Sequence, residues 1–247
     1  NRLIREVNRR LGFREVWTPH IFRSTLWQRT GHYETFRDRM FLFRIGDEEY
    51  VLKPMNCPGH AMIYASVTRS YRDLLVKLSE FGTVYRNEQP GELTGLLMVR
   101  SITQDDGHVF ARPDQVEQVV REILDASFEV LERVLGAPVH VNLSTRPEKY
   151  IGTKELWDVA ESDLKTALES VGIGYEVKHG EGAFYGPKID VDVEDSMGRR
   201  WQCSTIQLDF FMPERLGLDY VDQDGTRKRP VMIHRAILGS LERFTGL

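Results

Sequence analysis

Gln104, Asp106 and His108 stand at alternate positions of the run Arg100–His108, and in an extended strand that spacing puts all three side chains on one face. An amide, a carboxylate and an imidazole side by side can accept a hydroxyl proton, hold a charged group or ligate a metal. Burying them unpaired would be costly, so the competing reading is a solvated sheet face. Arg86 and Glu88 repeat the pattern in Tyr85-Arg86-Asn87-Glu88. As neighbours on one strand face they read either as a surface ion pair or as an arginine able to grip a carboxylate and a phosphate in fixed geometry. In the last helical pattern, His234–Phe244, the stripe Ile237, Leu238, Leu241 and Phe244 leaves Arg243 at its side. There it can lie over the core or reach into a cleft. Cys57 and His60 are the close pair with metal-ligand spacing. Cys57 precedes a helix start, whose free amides favour a thiolate, although a lone buried cysteine is commonly inert. Spacing leaves the partners of Cys57 open.

These groups need elements to position them. Leu3, Ile4, Val7 and Leu11 predict a helix over 1–11, stopped by Gly12. Phe13–Thr18 reads as a strand ended by Pro19, and Tyr50–Leu52 as another before Pro54. Pro58 suits the first turn of a helix through the sixties. Residues 81–88 and 97–105 predict a long-looped hairpin around Pro90-Gly91. Gln115–Leu135 is an amphipathic helix ended by Gly136; the strand Val139–Leu143 and a helix from Lys154 to Ser170 follow. Ile189, Val191 and Val193 alternate with Asp190, Asp192 and Glu194, the mark of a half-buried strand. Trp201–Phe211 gives a further strand, and Val231–Phe244 a short strand running into a helix. Hairpins flanked by helices predict an α+β fold, an antiparallel sheet with flanking helices. No glycine-rich phosphate loop is present, so a nucleotide would be held by arginines.

The 247 residues, 41% hydrophobic, suffice for one large core or two small ones. A net charge of −4 and pI near 6.0 argue against a compact nucleic-acid-binding module, which is usually basic, so any hold on RNA would be local and weak. Two cysteines, no signal peptide and no membrane-length apolar run point to a cytoplasmic setting and no membrane. The chain begins without methionine and stops after a helical pattern, which suggests an excised domain.

Taken together, three segments resemble the motifs of the class II aminoacyl-tRNA synthetases. Gly12–Pro19 is similar to the end of motif 1, Phe81–Glu88 through Gln104-Asp105-Asp106 to motif 2, and Gly239–Phe244 to motif 3. Lys53–His60, Thr103–His108, Ala183–Lys188 and Val231–Ser240 resemble the threonyl-tRNA synthetases specifically. That resemblance covers nearly the whole chain and implies one catalytic domain over 1–247, with editing and anticodon-binding domains absent. It implies zinc on Cys57, His108 and His234, leaving His60 structural. Asp106, Tyr185, Gln104, Gln207 and Met55 would meet threonine. Arg86 would meet the α-phosphate and the amino acid carboxylate, and Arg243 the γ-phosphate, with Mg²⁺ accompanying ATP. Glu88, Val99, Ile102, Gln202 and Thr205 would complete the nucleotide site, with Lys188 and His32 as catalytic groups, His32 for transfer to tRNA(Thr). A homodimer is implied as well.

Two departures from that family stand out: Met98 where it often has arginine, and Ile102 where it often has an aromatic over adenine. Strand parity adds a condition. Gln202 falls on the opposite face from Thr205 and Gln207, so all three can line one cleft only across a bulge. Another class II enzyme, prolyl or seryl, or a paralogue that keeps the fold for binding alone, are the alternatives.

Overall fold

The computed structural model describes residues 1–136 and 139–247. Helix α1 (Arg2–Arg10) turns at Gly12, φ 79°, into the short strand β1 (Arg14–Glu15). A small sheet follows, made of β2 (Ile21–Arg23), β3 (Phe41–Ile45) and β4 (Glu48–Leu52), with α2 (Ser24–Arg29) and α3 (His32–Phe36) between its first two strands. Next come α4 (Cys57–Ala65), the hairpin β5 (Val76–Tyr85) and β6 (Ser101–Ala111), and α5 (Val116–Leu135). Then β7 (Val139–Ser144), α6 (Lys154–Val171), β8 (Glu176–Lys178), β9 (Lys188–Glu194) and β10 (Arg200–Asp209). The chain finishes with α7 (Phe211–Leu216), the pair β11 (Tyr220–Val221) and β12 (Arg227–Lys228), β13 (Val231–Ser240) and α8 (Leu241–Gly246).

Eight strands form one sheet in the order β1-β5-β6-β13-β10-β9-β7-β8. All its inner pairings are antiparallel; the outermost, β1 with β5 and β7 with β8, are parallel. The expected α+β architecture is therefore present, with parallel edges added. The two faces differ in chemistry because side chains alternate along each strand. On one face Val141, Leu143, Ile189, Val191, Val193, Ile206 and Leu208 pack against Val120, Ile123 and Leu124 of α5 and Leu164 and Leu168 of α6. Each such fully buried aliphatic contributes about 1.5–3 kcal/mol relative to exposure. The other face carries Gln104, Asp106 and His108 of β6, Thr205 and Gln207 of β10, and His234 of β13, and a cavity opens over it.

Several boundaries depart from expectation; β6 runs Ser101–Ala111 rather than 97–105. The run from His234 is strand as far as Ser240, and helix begins only at Leu241. β13 lies between β6 and β10 and is buried almost throughout, so apolar residues fall on both its faces around His234-Arg235 and leave no strand period to betray it. β5 ends at Tyr85, which leaves Arg86 and Glu88 in a loop rather than on a shared strand face. β1 is only two residues, since Pro19 and the exit toward β2 end the pairing with β5 early.

Candidate active site

The cavity over the polar face has a volume of about 340 Å³. At one end sit Cys57, His108 and His234, all buried, with their candidate ligand atoms within 4.8 Å of one another. Sheet register makes this inevitable for the two histidines: His234 pairs directly across from His108, and Gln207 directly across from His234. Residues opposite one another in an antiparallel pair share a face and bring their Cβ atoms within about 4.5–5.5 Å. Cys57 arrives separately, at the N-terminus of α4.

The donor set fits zinc. Metal–ligand bonds of about 2.0–2.3 Å in a tetrahedron require ligand atoms roughly 3.3–3.6 Å apart, and His108 Nε2 lies 3.1 Å from His234 Nδ1. Each imidazole is also held from behind. His234 Nε2 meets Asp209 Oδ2 at 3.0 Å, while Asp209 Oδ1 accepts the amides of Phe211 and Met212 at the start of α7. His108 Nδ1 meets His60 Nδ1 at 2.8 Å. His60 is thus not one of the three converging donors but the residue behind one of them. Cys57 differs from the sequence expectation: burial, with Asp106 and Asp209 nearby, pushes its thiol well up despite the helix start. A bound cation would reverse that, since coordination deprotonates a thiol.

Beside the three donors lies Asp106, on the same strand face as His108 and Gln104, as parity predicts. Asp106 Oδ2 accepts a hydrogen bond from Asn56 Nδ2 at 3.0 Å. Asn56 is fully buried and packs against Gly82, where a Cβ would collide with its amide. Tyr185 donates to Gln207 Oε1 at 2.7 Å, and burial raises its phenol well above its ordinary value. Met55 and Arg86 complete this end of the cavity, and Arg86 Nε donates to the Pro54 carbonyl at 3.2 Å.

The far end is built around Asp190, which the sequence reading passed over. Its carboxylate takes Gln202 Nε2 at 2.7 Å and Thr205 Oγ1 at 3.0 Å on one oxygen and Lys188 Nζ at 2.6 Å on the other. Gln202, Thr205 and Gln207 all line the cavity because β10 carries a register shift between Gln202 and Ser204, the bulge that parity demands. Arg243 donates to the carbonyls of Leu97 and Gln202, each at 3.0 Å, and sits over the Trp201 ring. Ile102 lines the same end.

Three expected residues lie off this cavity. Glu88 is buried and turned away into an ion pair with Arg39, which also grips Glu92. Val99 sits half-buried in the loop ahead of β6. His32 is buried; its Nδ1 bonds Thr30 Oγ1 at 2.8 Å, and burial lowers its pKa to about 4. Asn56, Asp190 and Asp209 are the residues the sequence reading missed. Only the alternation around Asp190 carried a local signal.

With this geometry established, comparison with known proteins adds context. Residues 41–247 match the family described as the tRNA synthetase class II core domain (G, H, P, S and T). The threonine--tRNA ligase catalytic subunit of Sulfurisphaera tokodaii is 54% identical across 100% of this chain and 46% of its own length. The threonine--tRNA ligase of Haloquadratum walsbyi is 53% identical over 97% of this chain and 37% of its own. The chain thus spans about half the length, or less, of the curated relatives it matches. Among solved structures, the RNA binding domain of threonyl-tRNA synthetase from Cryptosporidium parvum Iowa II superimposes with TM-score 0.94 at 44% identity, covering 99% of this chain and 61% of that one. Giardia lamblia prolyl-tRNA synthetase in complex with prolyl-adenylate shares the fold, with TM-score 0.73 at 14% identity, covering 99% of this chain and 44% of that one.

Proposed function

The chain belongs to the class II tRNA synthetase core family, and on that premise we propose that it is the catalytic domain of a threonine--tRNA ligase, activating L-threonine with ATP and passing it to tRNA(Thr). The observation that carries the threonine reading is the convergence of Cys57, His108 and His234 beside Asp106 on one wall of the cavity. Cys57, His108 and His234 would hold a zinc ion, which would supply a Lewis acid for the substrate's amino group and hydroxyl. Asp106 Oδ1, which Asn56 does not engage, accepts a hydrogen bond from the hydroxyl. Valine offers no such donor, and a site built around a hydroxyl rejects its absence strongly.

At the other end, this chain's residues neutralise and align rather than react covalently. Arg86 grips the substrate carboxylate and the α-phosphate, Arg243 holds the distal phosphates, and Lys188 adds positive charge as pyrophosphate leaves. Attack of the carboxylate on the α-phosphorus then needs alignment above all. Mg²⁺ accompanies the ATP. Gln202 and Thr205, fixed by Asp190, meet the adenosine, and Ile102 covers the base with an apolar face in place of an aromatic ring. His32 serves the transfer step, and Tyr185, bonded to Gln207, meets the threonine. A homodimer is part of the reading, supported by the exposed Trp17 beside Pro19, Met62 and Ile63. A cytosolic setting suits two free, buried cysteines, and no helix among the described residues is long and apolar enough to cross a membrane.

ATP–pyrophosphate exchange with threonine, serine and valine, paired with metal analysis, tests the reading. Exchange should require threonine or, less well, serine, and Cys57→Ala should lose zinc and valine rejection together. Zinc-loaded protein that binds threonine without exchange would make it a binding paralogue. Exchange driven by proline or serine alone would make it a different class II enzyme.

A further inference from the structure

Behind His108 runs a buried chain of hydrogen bonds that the reaction itself does not use. His60 Nδ1 lies 2.8 Å from His108 Nδ1, and His60 Nε2 lies 3.2 Å from Glu80 Oε2. Glu80 is fixed in turn: Lys53 Nζ approaches Oε1 at 3.0 Å, the Thr18 amide donates to Oε1 at 3.1 Å, and Thr18 Oγ1 donates to Oε2 at 2.8 Å. Lys53, His60, Glu80 and His108 are all at most 5% exposed.

Proton counting shows what it does. An ionised carboxylate only accepts hydrogen bonds, so His60 must carry its proton on Nε2. A neutral His60 has no second N–H, so its Nδ1 is an acceptor; as an imidazolium paired with Glu80 it would instead donate from Nδ1 and leave His108 its proton on Nε2. With His60 neutral, His108 donates from Nδ1, which leaves its Nε2 bare. Nε2 is the nitrogen 3.1 Å from His234 Nδ1, on the side of Cys57. On the other side Asp209 takes the Nε2 proton of His234 and bares its Nδ1 by the same logic. With both nitrogens bare, the 3.1 Å approach of His108 Nε2 to His234 Nδ1 leaves two lone pairs that a cation would bridge.

We propose that His60 and Glu80 are positioning residues for the metal ligand His108, fixing the tautomer that turns its Nε2 lone pair toward Cys57 and His234. The proposal rests on the zinc reading above. Its chemical content is separate, since the tautomer can be read on the metal-free protein. Lys53 and Thr18 keep Glu80 in place, and Thr18 ties the relay to the segment that enters the sheet at β1.

The test uses the whole chain, nitrogen-15 labelled at histidine, with long-range proton–nitrogen NMR reading each ring's tautomer, and chelator competition reading zinc affinity. Metal-free wild type should show His108 protonated at Nδ1. His60→Leu, which removes the acceptor, should weaken zinc roughly 10- to 100-fold and let His108 populate the Nε2-protonated form. His60→Asn, whose side-chain carbonyl can stand where Nδ1 stood, should recover most of the affinity and the native tautomer. A space-filling role alone would give the opposite order, with His60→Leu nearly native and His60→Asn the poorer. His60→Leu holding zinc as tightly as wild type, or a metal-free wild type with His108 protonated at Nε2, would overturn the proposal. Should His60→Leu fail to fold, the wild-type tautomer and the His60→Asn affinity still decide it. A wild type that takes up no zinc would sink the functional reading instead, leaving the relay to stand or fall on the metal-free tautomer.

Discussion

Asn56→Asp should blunt the distinction between threonine and valine while leaving ATP binding in place. Asn56 donates to Asp106 at 3.0 Å from a fully buried position, and the bare backbone at Gly82 leaves it no room to swing aside. The substitution replaces that donor with a second carboxylate oxygen at the same separation. Two unit charges 3 Å apart repel by about 5 kcal/mol at an effective dielectric of about 20, equivalent to roughly 4 pKa units. The pair must therefore hold one shared proton near neutral pH, as close carboxylate pairs do. Asp106 then loses much of its negative charge. A hydrogen bond to a charged acceptor is worth about 1.5–3 kcal/mol and a neutral one about 0.5–1.5, so the threonine hydroxyl loses about 1–2 kcal/mol. In ATP–pyrophosphate exchange, kcat/KM for threonine should fall roughly 5- to 30-fold, serine should fall with it, and valine should barely change. Asn56→Ala, which keeps the charge on Asp106, should cost less selectivity although it leaves a cavity. A folded Asn56→Asp protein with an unchanged threonine-to-valine ratio would refute the assignment of Asp106 to the hydroxyl.

Other consequences are read on stability and pH. Burial pushes the Glu80 carboxyl up, but His60, the Thr18 amide and Lys53 outweigh it and hold it at about 2 against an ordinary 4.5. A lowered carboxyl stabilises the fold above its ordinary pKa, so about 3 kcal/mol should be present at neutral pH and fade as pH falls from about 4.5 toward 2. Urea midpoints across that window should drop in wild type, and Glu80→Gln should be weaker at pH 7 with a shallower slope. His32, lowered to about 4 chiefly by burial, stays neutral at pH 6–8. Single-turnover transfer to tRNA should therefore show no inflection near pH 6.5 that His32→Asn removes; an inflection lost in that variant would contradict a neutral His32. Gly239 holds φ 73° where an added Cβ would collide with the Cys203 carbonyl. Gly239→Ala should lower Tm by several degrees or prevent folding, and an unaffected Tm would contradict the close approach.

What the sequence exposes here follows from how local each constraint is. Period two along β6 puts Gln104, Asp106 and His108 on one face, and no tertiary contact is needed to see it. The same arithmetic on β10 turns the awkward position of Gln202 into a demand for a bulge, which the sheet meets between Gln202 and Ser204. β13 defeats the method. Buried almost throughout and paired on both sides, it has no polar stripe to mark it as a strand, so His234 reads as helical until its register with His108 is known. Glu88 fails for the opposite reason: the loop after Tyr85 frees it to turn toward Arg39.

The residues that hold others are the least legible. Asn56, Asp190 and Asp209 sit 50, 12 and 25 positions from the partners they fix, Asp106, Gln202 and His234, and no local pattern reports such distances. They also explain why a cavity lined with polar groups is affordable. Each buried polar atom left unmet would cost about 1–3 kcal/mol. Asp209 meets two amides and an imidazole, and Asp105, on the opposite face of β6, meets the amides of Ile237, Leu238 and Gly239 where β13 bends away from regular pairing. That bend carries the chain from the His234 end of the site to Arg243. The carboxylates that satisfy the irregular backbone therefore also set the separation between the amino acid end of the cavity and its phosphate end, and loosening either should disturb both ends together.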